Sequence, residues 1–119
     1  TSVTITSIGI RLIDAVRSGV VTSKDDVVHQ VRAAVEQIHS VGLAHCDICV
    51  ENLFVLDSGV IILGDLEYCT DLESAQLPAV RRIYTDRESG KAATTARELD
   101  ANQLARLEEL LHLELPGLA

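Results

Sequence analysis

Between Asn52 and Asp65 the chain leaves little choice of local fold. Leu53-Phe54-Val55-Leu56 is an apolar run, Asp57-Ser58-Gly59 is a turn, and Val60-Ile61-Ile62-Leu63 is a second apolar run. Two such runs joined by three residues that include a glycine make an antiparallel hairpin. A hairpin brings its second strand back to the end where the first began, so Asn52 and Asp65 flank the same end. Apolar residues at successive positions predict a ribbon buried on both faces. Upstream, Asp47 lies in the irregular stretch His45-Cys46-Asp47-Ile48-Cys49-Val50-Glu51-Asn52. One amide and one carboxylate therefore converge, with a second carboxylate close by in sequence.

This oxygen set suits a hard cation. Mg²⁺ is usually held by one or two carboxylates, with water and substrate phosphates completing its shell. Asn52 and Asp65 would hold the ion. Asp47 would be free to orient or deprotonate an attacking hydroxyl. These are the parts of a phosphoryl-transfer site.

A helix is expected on each side of this stretch. Over residues 24–40, Val27, Val28, Val31, Ala34, Val35 and Ile38 recur at helical spacing. Ser23 is the N-cap, with Asp26 as its capping-box partner, and Gly42 closes the C-terminus. Over residues 100–113, Leu104, Leu107, Leu110, Leu111 and Leu113 give an apolar face, Asp100 can cap the start, and Pro116-Gly117 ends it. In the lead-in, Thr1 to Ile5 is β-branched and reads as a strand, and Ile10, Leu12, Ile13 and Val16 as a short helix ending near Gly19. Residues 68–95 lack periodicity and read as a long loop of the kind that carries function.

These residues resemble the protein-kinase-like superfamily. The family pattern is H-R-D, four residues, Asn, a hairpin, then D-F-G. The chain has His45-Cys46-Asp47, four residues, Asn52, the hairpin, then Asp65-Leu66-Glu67. The resemblance runs from about Ser23 to Leu113. It implies an α+β fold: a mostly helical, partial kinase-like large lobe whose short β-hairpin carries the catalytic and metal-binding loops. Asp47 would be the catalytic base, and Asn52 and Asp65 would bind the metal and, through it, ATP. His45 would be a buried structural residue. The chain then divides into a lead-in (1–22), a helix, loop and hairpin (23–67), an activation-segment-like loop (68–98) ending near Thr95-Ala96-Arg97-Glu98, and a helix and tail (99–119). Asp100 would brace the catalytic loop.

The resemblance implies a phosphotransferase that uses ATP and Mg²⁺ to phosphorylate a protein Ser or Thr hydroxyl when a small lobe completes it. The leading residues contain no G-x-G-x-x-G, and Lys24 opens a helix rather than lying on a strand. This reads as a kinase core fragment or a reduced relative, inactive alone. Three positions depart from the pattern. Cys46 stands in place of the Arg that pairs with a phosphorylated activation loop. Cys49 replaces the loop Lys that neutralises the transferred phosphate, and Glu67 replaces the Gly of D-F-G. The Asp65-Leu66-Glu67-Tyr68 form resembles small-molecule kinases of the aminoglycoside and choline type. Ile38 to Asp47 resembles the kinase-like domains of Crinkler effectors.

Two other function classes fit the same residues. One is a catalytically inactive, pseudokinase-like interaction module that engages a protein partner through its acidic surface or the Tyr68–Thr95 segment. The other is a small zinc-binding adaptor, built on Cys46-Asp47-Ile48-Cys49 with Cys69 and His45 or His39. Against zinc, buried cysteines usually act as small hydrophobes. A net charge of −8 argues against general affinity for nucleic acid or anionic membrane. Arg81-Arg82 with Arg87 is the best candidate for a local basic cluster, and reads as a solvated loop pair. No apolar run approaches the ~20 residues of a membrane span. No signal peptide is visible, and three cysteines give no disulfide framework. These features point to an intracellular setting, cytoplasm or nucleus, including that of a secreted effector acting inside a host cell. With 3% aromatic residues and no Trp or Met, the core must be built from Leu, Val, Ile and Ala.

Overall fold

Each long helix starts where a side chain can satisfy its first backbone amides. In the computed structural model, which describes residues 9–78 and 92–119, helix α2 runs Lys24–Ser40. Ser23 caps it, accepting from the Asp26 N–H at 3.2 Å. Val27, Val31 and Val35 face inward, as the periodicity predicts. Gly42, at φ +82°, ends the helix by turning its N–H onto His39 O. A left-handed residue is needed there, and glycine adopts that conformation without a Cβ penalty.

Helix α3 starts earlier than Asp100. It runs Ala96–Glu114, capped by Thr95, whose side chain accepts from Glu98 N–H. The Glu98 carboxylate reaches back to the Thr94 N–H and hydroxyl, each at 2.7 Å. The Thr94 N–H, and then its hydroxyl, hold Glu98 below the usual carboxylate range. Thr95-x-x-Glu98 is thus a capping box displaced by one residue at its return bond. Asp100 consequently sits inside the helix and is fully buried. Leu107 and Leu111 are buried as expected, whereas Leu113 is 67% exposed, because it falls on the outer side of the helix.

The lead-in forms strand β1 (Ile10–Arg11) and helix α1 (Leu12–Arg17), so Ile10 is extended rather than helical. The hairpin is strands β3 (Leu53–Val55) and β4 (Ile61–Leu63), with Leu53 opposite Leu63 and Val55 opposite Ile61. Gly59 takes φ +87° in its turn. The first sheet has the order β1-β3-β4, all antiparallel. Its inner face, Leu53, Val55, Ile61 and Leu63, packs into a core with Leu12, Val27, Val31, Leu107 and Leu111.

The ribbon is buried on one face only, not on both. Alternation turns Phe54 and Ile62 to the outer face, and Ile62 and Val60 are 38% and 47% exposed. Among the described residues β4 is an edge strand, lying against α2. There Gln30 Oε1 accepts from Ile61 N–H at 2.8 Å.

A second pairing has no periodic signal. β2 (Leu43–Ala44) pairs antiparallel with β5 (Thr70–Asp71), although both stretches read as loop. Beneath it lies a smaller cluster of Ala44, Cys46, Leu72, Ala96 and Leu99. Arg32 on α2 clasps Glu108 on α3 through two guanidinium nitrogens.

The architecture is α+β, with three α-helices and five short antiparallel strands among the described residues. No helix among them is long and apolar enough to cross a membrane. The expected strand at Thr1 to Ile5 and the Arg81, Arg82 and Arg87 cluster lie outside the described residues.

Candidate functional site

The loop from His45 to Asn52 crosses from β2 to β3, and its backbone is fixed from α3. Asp100, on α3, places both carboxylate oxygens on this loop. Oδ2 accepts from His45 N–H at 2.9 Å, and Oδ1 accepts from Cys46 N–H at 2.7 Å. His39, at the end of α2, brings its Nε2 to Asp100 Oδ2 at 2.7 Å. One turn further along α3, Gln103 donates to Cys46 O and accepts from Ile48 N–H, both at 2.8 Å. Asp100 and Gln103 are both fully buried. Buried polar groups of this kind must be hydrogen-bonded, and here their partners are the loop's own peptide groups.

His45 is also fully buried. Its Nε2 lies 2.7 Å from Gly64 O, and its Nδ1 accepts from Asp47 N–H at 3.1 Å. The second contact places the ring hydrogen on Nε2, so the ring donates to Gly64 O. It thus joins the 45–52 loop to the returning strand at the hairpin root, as a buried structural residue of the kind the family resemblance implies.

Asp47 and Asn52 come together directly. Asn52 Nδ2 donates to Asp47 O at 2.7 Å and to Asp47 Oδ2 at 3.0 Å. A short 3₁₀ turn, Val50–Asn52, makes this possible by folding Asn52 back toward Asp47. Those bonds use the amide nitrogen and leave Oδ1 as the end that can face a cation.

Asp65 arrives from the other side of the hairpin root. Gly64 N–H donates to Asn52 O at 2.7 Å, extending the β3–β4 ladder to the residue before Asp65. Asp65 has φ +54°, and its exposed carboxylate accepts from Glu67 N–H at 3.4 Å. Gly64 is constrained by Phe54: a Cβ there would lie 2.7 Å from the ring.

The donors available at the hairpin root are an amide oxygen and a carboxylate. That is an oxygen set with the sparse protein ligation Mg²⁺ favours. The thiols are arranged differently. Cys46 Sγ turns toward Ala44 O, and Cys49 Sγ toward Asp47 O. Burial first, then the charge of Asp100 and the nearby Cys69 and Asp47, push Cys46 up to about 12. Burial raises Cys69 as well. Among the described residues, no three His, Cys, Asp or Glu side chains gather as metal ligands do. Cys46 packs in the smaller apolar cluster with Ala44, Leu72, Ala96 and Leu99.

The sequence offers His39 only as an alternative zinc ligand, and Gln103 not at all. Gln103 carried a usable signal, since it occupies the inward face of α3 between Leu99 and Leu107.

No protein-family model matches the chain. The chain is similar to the interferon-induced, double-stranded RNA-activated protein kinase of Mus musculus, at 35% identity over 92 residues. Those residues span 73% of this chain and 18% of that kinase. The likeness supports a kinase-like relationship for a stretch that is a small part of the larger protein.

Proposed function

We propose that residues 45–67 form the phosphoryl-transfer half of a protein-kinase-like phosphotransferase. The observation that carries this reading is the Asn52–Asp47 bond, made on a loop whose peptide groups are fixed by α3. Phosphoryl transfer asks the protein mainly for positioning and charge stabilisation. Asp47 would accept a hydrogen bond from the acceptor hydroxyl and orient it for attack. Asn52 Oδ1 and the Asp65 carboxylate would hold Mg²⁺ with ATP. When bound, the ion neutralises charge on the phosphates. The acceptor would be a protein Ser or Thr hydroxyl, in line with the protein-kinase name of the mouse relative. Acceptors of the small-molecule kinase type are the alternative raised by Glu67.

The test uses Mn²⁺ as a paramagnetic stand-in for Mg²⁺. Broadening should centre on the Asn52 side-chain amide and on Asp65, and should vanish in Asp65→Asn. Broadening spread over the acidic surface, with those signals untouched, would overturn the metal assignment. In the chain joined to a nucleotide-holding small lobe, Asp47→Asn should lower transfer by at least about a hundredfold. Nucleotide binding should survive that change, because Asp47 acts on the acceptor.

One observation favours a second reading. Cys49, where the family has a loop Lys, is buried and turned onto Asp47 O. A kinase-like interaction module would bind metal and nucleotide there, or neither, and transfer nothing.

A further inference from the structure

Cys46 precedes Asp47 and has φ +70°. A residue with a Cβ is unfavourable in that conformation. Such conformers persist where their surroundings over-determine them. Both ends of Cys46 are gripped from one face of α3. Its N–H donates to Asp100 Oδ1, and its carbonyl accepts from Gln103 Nε2. The other end of the same Gln103 amide accepts from Ile48 N–H. The two peptide groups that bracket the Asp47 Cα are therefore held by a single side chain. A primary amide presents the donor and acceptor this requires. A methionine or leucine would fill similar space and make neither bond.

We propose that Gln103 is a positioning residue for Asp47. With Asp100 it holds Cys46 left-handed and so aims the Asp47 side chain at the point where Asn52 meets it. The clamp stands on these contacts alone. Its consequence for phosphoryl transfer rests on the function proposed above.

The test compares the chain with Gln103→Met by amide hydrogen exchange and ¹H–¹⁵N spectra, without metal or nucleotide. Ile48 N–H should exchange about tenfold faster, the effect of one lost hydrogen bond. The diagnostic signal is the Asn52 side-chain amide, which bonds Asp47 rather than Gln103. It should shift as Asp47 moves, whereas a core-filling role for Gln103 would leave it in place. A folded Gln103→Met chain with unchanged Ile48 exchange and unchanged Asn52 signals overturns the proposal.

Where Gln103→Met fails to fold, Gln103→Glu decides. The carboxylate keeps an acceptor for Ile48 but sets an oxygen against Cys46 O. Once protonated it can donate there again. Displaced Asn52 signals at neutral pH that return toward wild type in acid support the clamp. Signals that track wild type at every pH overturn it. Two unfolded variants overturn it too, since Gln103 would then hold the whole domain rather than aim one residue. Failure of the Mn²⁺ experiment leaves this one intact, so the clamp and the metal reading fail separately.

Discussion

The 45–52 loop and the 64–67 segment meet at one end of the same hairpin, and in the proposed site each would supply an oxygen ligand. Their backbones are fixed by different means. The 45–52 loop receives side-chain hydrogen bonds from Asp100, Gln103, His45 and Asn52, three of them fully buried and Asn52 nearly so. Beyond Gly64, the other segment turns out to solvent, and Leu66 is 61% exposed. Asp65 is left-handed like Cys46, but its carboxylate is engaged locally, with Glu67 N–H. One half of the site is pre-organised by the core. The other is held at its root by Gly64 and exposed at its tip. Residues of the first kind should govern stability, and residues of the second kind ligand response.

The largest effect expected from this contrast is that of Asp100→Ala. It strands two loop amides in the interior and removes the partner of the partly exposed His39 ring, and should cost about 4 kcal/mol. Urea denaturation measures it, and a loss below about 1 kcal/mol would mean that the loop needs no brace. Next comes alkaline pH. The folded Cys46 thiol keeps its proton to about 12, against an ordinary value of 9.0. Above the ordinary value the unfolded chain releases that proton and the folded chain does not. Stability should therefore fall as pH rises from 9.0 toward 12. Urea midpoints across that window should decline more steeply in wild type than in Cys46→Ala. Parallel slopes would remove Cys46 from the cause.

Asn52→Ala should be milder, at about 1–2 kcal/mol, because its two bonds converge on one partly exposed residue. Thermal melting reads this, and a loss as large as that of Asp100→Ala would make the site's centre, not its base, the anchor. Asp65→Ala is the smallest, within about 0.5 kcal/mol of wild type, as for an exposed side chain. A large loss there would erase the contrast between the two halves.

The legible parts were those whose signal is local. Ser23, the valine face and Gly42 define α2 without help from the rest of the chain. Leu53 to Leu63 define a hairpin, and with it the return of the Gly64 backbone to Asn52. Its outer face was misjudged because apolar residues on both sides look identical in sequence whether or not something covers them. The start of α3 is legible too, in Thr95-x-x-Glu98, but the family resemblance assigns those residues to the end of the preceding loop. β2 and β5 were not legible: two-residue strands show no period, and they pair across 25 residues of intervening chain. Gln103 was visible as a polar residue on an apolar helix face. Its partners were not, since they are backbone groups 55 and 57 positions away. A backbone acceptor leaves no mark on the residue type that carries it.

Gln30 has a consequence for how copies of this chain meet in solution. An edge strand with free backbone donors and apolar side chains is a template for another strand. Among the described residues β4 is such an edge, and its Ile62 and the preceding Val60 are exposed. Gln30 occupies the outward N–H of Ile61, while Asp26 holds the other end of its amide at 3.1 Å. One surface glutamine thus acts as a guard against strand-to-strand association. Gln30→Ala should leave the fold in place and make the chain self-associate as its concentration rises, seen as growing light scattering.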